Sequence, residues 1–503
     1  MNVKRGKCIL QKYICLIVLL LLCGCASTPK YFSDTDKTFE GLDPIDQEEA
    51  YDYQIFFQPK PYGLMKGYVG DTMPFYEDGT FYIYYLKEGG GSYNHSIYLT
   101  TTKDFLTYTE YEEPILEANY EGGQDGWIGT GSVVKVGTEY YFFYTAHASA
   151  GSFEYKEKIM AARGSSLTTF EKIADWELIP PESLGQKNDF RDPQAYYDPE
   201  TDSVVLTVTA AQNGVARILK FTLSPDLSEA VYDGIIFTDP TGDFWNLECS
   251  DTFCMNGYCY LTYSGQDDTL WYAVSDRRFG PYSEPKRIDG KIFYAAKHAE
   301  NDGNVFMVGW ARRSESMLSS GPVIGWGGNL LVQQVRQNSD GSLWLDVPKD
   351  IVDSFTGKRP LRIKNNSLTV EGKDSRVYTE AFTAYERFLL SGKFTFTGSG
   401  SFGLAFDFGD SEEEYKLINL DPEKDKLELY FGGGATAITE TLAMLEPGKS
   451  YQFTYLQEGS VGVFYLDGDA SLTVRLYGVS GKPIRFYAEN NNVTFSELKE
   501  LSR

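Results

Sequence analysis

Short runs in which apolar and polar side chains alternate dominate the chain, and a period of two is the pattern of a strand with one buried face. Five of these runs are alike. Each is rich in aromatic or β-branched residues, which suit a pleated surface, and each follows a turn carrying Gly or Asp. They are Asp78-Gly79-Thr80-Phe81-Tyr82-Ile83-Tyr84-Tyr85, Gly137-Thr138-Glu139-Tyr140-Tyr141-Phe142-Phe143-Tyr144, Thr201-Asp202-Ser203-Val204-Val205-Leu206-Thr207-Val208, Asn256-Gly257-Tyr258-Cys259-Tyr260-Leu261-Thr262-Tyr263, and Asp302-Gly303-Asn304-Val305-Phe306-Met307-Val308-Gly309-Trp310. Intervals of roughly 45 to 65 residues suit one four-stranded blade per repeat, and so predict a five-bladed β-propeller over residues 51–346. After Trp344-Leu345-Asp346-Val347-Pro348 the repeat stops, and a charged stretch through Lys358-Arg359-Pro360 reads as a linker over 347–365. Beyond it, Phe388-Leu389-Leu390-Ser391-Gly392-Lys393-Phe394-Thr395-Phe396 and Ser450-Tyr451-Gln452-Phe453-Thr454-Tyr455-Leu456 largely alternate again, predicting a C-terminal β-sandwich over 366–503. The expected fold class is all-β, in two domains, because the length exceeds what a single core holds.

The first fifty residues depart from this pattern. Met1-Asn2-Val3-Lys4-Arg5-Gly6-Lys7 precedes an apolar run ending in Leu16-Ile17-Val18-Leu19-Leu20-Leu21-Leu22, the charged-then-apolar order of a secretory leader. Its apolar core of about ten residues is short of the roughly twenty that span a bilayer. The run closes in Leu22-Cys23-Gly24-Cys25, which resembles a bacterial lipobox. That resemblance implies a lipoprotein signal peptide over 1–25, a lipidated N-terminus at Cys25, and an extracytoplasmic body tethered by lipid to the membrane of the cell envelope. Residues 26–50, rich in Asp, Thr, Ser and Pro without periodicity, would form a flexible spacer.

Charge and cysteine content narrow the picture further. The formal charge of −25 becomes −29 once the leader's Lys4, Arg5, Lys7 and Lys12 are removed, which argues against a nucleic-acid partner and suits a neutral sugar. Of seven cysteines, Cys8, Cys15, Cys23 and Cys25 belong to the leader and anchor, leaving Cys249, Cys254 and Cys259 in the body. Three closely spaced cysteines form no recognisable disulfide scaffold or metal pattern, so the expectation is buried free thiols and no structural zinc.

A propeller gathers short loops from different blades at one mouth, so catalytic acids belong at blade edges far apart in sequence. Three carboxylates stand there: Asp71 in Tyr68-Val69-Gly70-Asp71-Thr72-Met73-Pro74-Phe75, Asp192 in Phe190-Arg191-Asp192-Pro193, and Glu248 in Trp245-Asn246-Leu247-Glu248-Cys249-Ser250-Asp251. Arg191-Asp192-Pro193 and Glu248-Cys249 resemble the Arg-Asp-Pro and Glu-Cys motifs of glycoside hydrolase family 32, the invertases, levanases and inulinases. Gly129-Thr130-Gly131-Ser132-Val133-Val134 resembles that family's Trp-Ser-Gly-Ser segment, Phe293-Tyr294-Ala295-Ala296 its Phe-Tyr-Ala-Ala segment, and Trp326-Gly327-Gly328-Asn329-Leu330 its Trp-x-Gly-x-Leu closure. The similarity spans about Tyr51 to Asp346, and more weakly the sandwich. The first motif departs, since where the family has Trp-x-Asn-Asp-Pro-Asn-Gly only Asp71 survives.

The resemblance implies a retaining hydrolase of fructosyl linkages in sucrose, fructo-oligosaccharide, inulin or levan. Such chemistry needs a carboxylate nucleophile and a carboxylic acid on opposite sides of the scissile bond. Asp71 would attack the anomeric carbon, Glu248 would serve as acid and base, and Asp192 would stabilise the transition state with Arg191 holding it. Trp127, Trp245 and Phe75, with Arg191, are the expected substrate-binding residues, and Trp310 is a further aromatic candidate for the sugar pocket. Phe244 and Trp245 could form an apolar wall beside Glu248. His95 and His298 show no metal spacing and read as turn or core residues, and neither metal nor organic cofactor is expected. Two other readings remain open: an inverting arabinofuranosidase or xylosidase of the family 43 type, and a non-catalytic surface glycan-binding lipoprotein.

Overall fold

All five of the repeated runs fold as the second strand of a four-stranded antiparallel sheet. Their turns explain why. Asp78-Gly79, Asn256-Gly257 and Asp302-Gly303 form two-residue hairpin loops with positive φ at both positions, which Asp, Asn and Gly tolerate best. The computed structural model describes residues 52–503 apart from 61–66, 89–94, 149–152, 315–323, 360, 362, 384, 407–410, 412–414, 432–433, 435 and 480–481. The leader, Cys25 and the spacer therefore lie outside the described residues.

Among the described residues, five blades follow one another in chain order: Thr72–Glu77 to Tyr108–Glu110, Trp127–Val136 to Thr169–Leu178, Phe190–Asp198 to Ala230–Thr238, Glu248–Met255 to Lys286–Arg287, and Phe293–Asn301 to Leu343–Asp346. The first strand of each blade contacts the first strands of both neighbouring blades, so these five inner strands close a ring around one axis. Chain-end pairing completes the ring: Val69 and Gly328 exchange backbone hydrogen bonds of 2.8 and 2.9 Å, and the Leu330 N–H donates to Phe57 O at 2.8 Å. Aromatic rings pack between blades. Tyr84 meets Phe142 edge-on at 5.0 Å between blades 1 and 2, and Phe81 meets Phe306 at 5.6 Å between blades 1 and 5. A fully buried side chain of this size stabilises the fold by about 1.5–3 kcal/mol.

The C-terminal part is a β-sandwich of two seven-stranded sheets among the described residues. One is built around Asn491–Ser502, Arg387–Phe396 and Tyr451–Glu458, the other around Pro483–Ala488, Phe402–Phe406 and Lys416–Asp421. Their inner faces interdigitate through aromatic rings, Phe394 on Phe402 at 5.1 Å and Phe486 on Phe495 at 4.5 Å. The stretch 347–365 carries a short helix, Lys349–Ser354, and a strand, Gly357–Arg359, that pairs with Asn491–Ser502.

The seam between propeller and sandwich is bonded through buried charge. Glu458 of the sandwich accepts the backbone N–H groups of Gln54, Ile55 and Phe56. Arg475 donates to Arg312 O, Ala311 O and Asn329 Oδ1 of blade 5. Asp289 of the propeller accepts from Gln333, Ser471 and Thr473.

The free-thiol expectation holds for Cys249, which is buried and in no disulfide, and is corrected for the other two. Cys254 and Cys259 form a disulfide across one hairpin. Its cause is register: the Asn256-Gly257 loop sets Met255 opposite Tyr258 and therefore Cys254 opposite Cys259.

Candidate active site

The inner strands of blades 2 to 5 each break register near their start. The shifts fall between Ile128 and Gly131, Arg191 and Gln194, Glu248 and Asp251, and Tyr294 and Lys297. A bulge bends a strand and re-aims its side chains. Asp192, Cys249 and Ala295 sit in these bulges with φ of 56°, 52° and 50°, a left-handed backbone costing about 1–3 kcal/mol per residue that survives only where the surroundings impose it. Asp71 directly precedes the inner strand of blade 1, Asp192 lies in the bulge of blade 3, and Glu248 opens the inner strand of blade 4. Three blades thus bring three carboxylates to one end of the ring.

They line a single cavity of about 770 Å³, together with Arg191, Trp127, Thr130 and Tyr294. Each carboxylate has its own donors. Thr130 Oγ1 donates to Asp71 Oδ2 at 3.0 Å and Trp310 Nε1 to Asp71 Oδ1 at 3.3 Å. The Cys249 backbone N–H donates to Asp192 Oδ2 at 2.7 Å, and the Tyr294 hydroxyl donates to Glu248 Oε2 at 2.7 Å. Arg191 is clamped by Asp189 at 3.0 Å and Glu157 at 3.6 Å. Farther along the axis, the buried Lys297 reaches from blade 5 to Gly131 O at 2.8 Å and Gln194 Oε1 at 3.2 Å.

Burial, then the charges of Asp192 and Glu248, push the Asp71 carboxyl up to about 7, against the Thr130 and Trp310 donors. The Asp192 carboxyl is also raised, by burial first and by Glu248, while Arg191, the Cys249 N–H and Lys297 oppose the rise.

The expected substrate-binding residues divide. Arg191 and Trp127 line the cavity, and Trp127 stands at its rim, 41% exposed. Phe75 and Trp245 do not line it. Phe75 packs edge-on against Tyr140 at 6.1 Å between blades 1 and 2, and Trp245, 49% exposed, lies outside with the Arg191 guanidinium over its ring at 5.7 Å. Phe244 is buried against Trp271 at 6.0 Å and forms no wall beside Glu248. Trp310 is fully buried and acts on Asp71 through its N–H. His298 is half-buried and bonded to Asp251, whereas His95 lines the cavity, stacked on Trp326 at 4.3 Å, with burial and then His147 pushing it down to about 4.

The altered first motif has a physical reason. A Cβ on Gly70 would lie 2.0 Å from Trp326 Cζ2, so the indole occupies the space that a side chain before Asp71 would need. Thr72 and Met73 are bonded into the ring, Thr72 Oγ1 donating to Val308 O at 2.6 Å and Met73 Sδ accepting the Gly131 N–H at 3.0 Å. Trp326, His95, His147 and Glu157 were not foreseen as parts of the cavity. Strand pairing across blades brings them there, Trp326 from the family-like closure segment Trp326-Gly327-Gly328-Asn329-Leu330 and the other three from segments that carry no motif.

Comparison with known proteins agrees with this architecture. The family described as "Glycosyl hydrolases family 32 N-terminal domain" matches residues 65–343. Among solved structures, the exo-inulinase of Aspergillus awamori is 16% identical with a TM-score of 0.71, covering 90% of this chain and 99% of its own. The GH32 β-fructofuranosidase of Bombyx mori is 15% identical with a TM-score of 0.68, covering 92% and 97%. The sucrose-6-phosphate hydrolase of Lactobacillus gasseri is 14% identical with a TM-score of 0.65, covering 92% and 97%. At such identities the likeness speaks for the fold. No curated protein matches the sequence.

Proposed function

Because the chain belongs to glycosyl hydrolase family 32 and is a glycosidase, we propose that it cleaves fructosyl linkages with retention, through a covalent glycosyl-enzyme intermediate. The observation that carries this reading is the convergence of Asp71, Asp192 and Glu248, from three blades, on one cavity where each has a different donor set.

Asp71, oriented by Thr130 and Trp310, attacks the anomeric carbon as the bond to the leaving oxygen breaks. Glu248, held by the Tyr294 hydroxyl, gives its proton to that oxygen. In the second half Glu248 takes a proton from water, whose oxygen displaces Asp71 and frees the sugar. Asp192 accepts hydrogen bonds from sugar hydroxyls and strengthens them as positive charge develops on the ring. Its rigid seat, with the backbone N–H bonded to Thr145 Oγ1 at 2.8 Å, suits that task. Sucrose, fructo-oligosaccharide, inulin and levan are the candidate substrates, in keeping with structural neighbours described as a β-fructofuranosidase, one mutant of it in complex with sucrose, and an exo-inulinase. The leader sequence supports delivery as a lipid-anchored envelope protein, and the Cys254–Cys259 disulfide suits an oxidising compartment.

The test is fructose release from sucrose, inulin and levan by the purified protein, with the anomer first released followed by NMR. Retention, with activity lost by about 10²–10⁴ in Glu248→Gln, supports the reading. Inversion, or inactivity on every fructan alongside activity on arabinosides, overturns it.

A further inference from the structure

One imidazole in the cavity stands apart from the carboxylate trio. His147 ends the second strand of blade 2, directly opposite Trp127 on the inner strand. Its Nδ1 lies 3.3 Å from Glu157 Oε1, on a carboxylate only 1% exposed. Glu157 Oε2 accepts the Phe190 N–H at 2.8 Å, and Arg191 Nη1 approaches Oε1 at 3.6 Å. Burial pushes the Glu157 carboxyl up, but His147, Arg191 and the Phe190 N–H outweigh it and hold it at about 2. An ionised carboxylate at Nδ1 demands a proton there, which leaves Nε2 as the free end of the ring.

Backbone geometry fixes what that end rests against. A Cβ on Gly129 would lie 2.6 Å from His147 Nε2 and 3.2 Å from Cδ2, so the ring rests on a backbone position that only glycine leaves open. Gly129 immediately precedes Thr130, the donor to Asp71. Along the inner strand of blade 2 the cavity is therefore lined in the order Thr130, Gly129 with His147 upon it, Ile128, and the 41% exposed Trp127. Among the described residues no hydrogen bond occupies Nε2, and His147 lines the cavity.

We infer that His147 is a specificity-determining residue whose Nε2 binds a hydroxyl of the sugar beyond the scissile bond, so that the preferred leaving group is itself a hydroxyl-bearing sugar ring. This rests on the fructosidase reading above and deepens it. Glu157 is a positioning residue, one carboxylate orienting both His147 on the rim side and Arg191 beside Asp192.

The experiment compares kcat/KM for a hydroxyl-bearing leaving group with that for an aryl β-fructofuranoside whose leaving group carries no sugar hydroxyl. The first substrate is the best of sucrose, an inulin-type and a levan-type oligosaccharide. In His147→Ala the ratio of the two falls about tenfold, the worth of one such hydrogen bond, chiefly through KM on the sugar substrate. Gly129→Ala produces a similar fall by displacing the ring while leaving the imidazole present, and it decides the matter if His147→Ala does not fold. His147→Gln recovers part of the ratio, because its amide can still meet a hydroxyl. An unchanged ratio in both the His147→Ala and Gly129→Ala variants, with wild type active, sinks this inference alone. A wild type inert on both substrate types sinks the fructosidase reading and this inference with it.

Discussion

Glu458 at the seam and Asp71 at the mouth are both acids withdrawn from water, in opposite surroundings. Glu458 accepts three backbone N–H groups at 3.0, 2.7 and 2.8 Å and the Nε of Arg387 at 2.5 Å. Asp71 has two neutral donors and two acids for neighbours, Asp192 and Glu248. The first carboxylate is compensated on every side, and it ties the start of the propeller to the sandwich. The second is kept short of compensation, so it holds a proton more tightly than an ordinary carboxyl does. A buried charge that is fully paired holds a structure in register, whereas one left underpaired is poised for reaction.

The contrast can be broken from either end. Asp71→Asn is the largest expected effect, with kcat falling by on the order of 10⁴ or more if the nucleophile is lost, measured on the best fructan with folding checked by circular dichroism. Glu458→Ala reverses the pattern. Removing it takes the acceptor from three backbone N–H groups and one partner from Arg387, and denaturant titration should show a loss of about 3–5 kcal/mol. The kcat of the molecules that remain folded should stay near wild type. A Glu458→Ala protein as stable as wild type would remove the seam's side of the comparison.

Gly70→Ala is a smaller perturbation. Its new methyl group would meet the Trp326 ring at 2.0 Å, an overpacking expected to cost about 1–3 kcal/mol by thermal or denaturant melting. Activity should fall too, since the displaced indole adjoins Asp71. A variant with unchanged stability and rate would show that the indole can move away freely, and the explanation of the altered motif would fail.

The sequence spoke clearly where structure is local. Asp-Gly and Asn-Gly turns followed by aromatic alternation announced the second strand of each blade, and the Arg-Asp-Pro and Glu-Cys segments pointed to two of the three acids. Counting outward from Asn256-Gly257 also sets Cys254 opposite Cys259, so the disulfide has a local signal in the turn. Phe75 does not line the cavity because it lies four residues beyond Asp71, and a strand advances roughly 3.3 Å per residue, which carries it about 13 Å from the mouth. Trp245 precedes the strand that Glu248 opens and falls outside the ring. His147 and Trp326 come from a second and a third strand, and their place in the same cavity as Asp71 depends on cross-blade packing that no single segment encodes.

The subtlest test concerns proton binding, and it uses the same Asp71→Asn variant. In the folded protein the Asp71 carboxyl is raised from its ordinary 3.8 to about 7, so the fold holds that proton more tightly than the unfolded chain does. The stability this contributes is fully present below about 3.8 and is lost as pH rises through about 7. Above that, wild type must carry a buried anion beside Asp192 and Glu248, while the amide of the variant carries none. Asp71→Asn should therefore melt close to wild type at pH 4 and higher than wild type at pH 8, by about 1–3 °C. Glu458→Gln should show no such gain at pH 8, because the carboxylate it replaces is already paired. If Asp71→Asn has the same melting difference at both pH values, the charge at the mouth is better compensated than its neighbours suggest, and the two acids differ less than their surroundings imply.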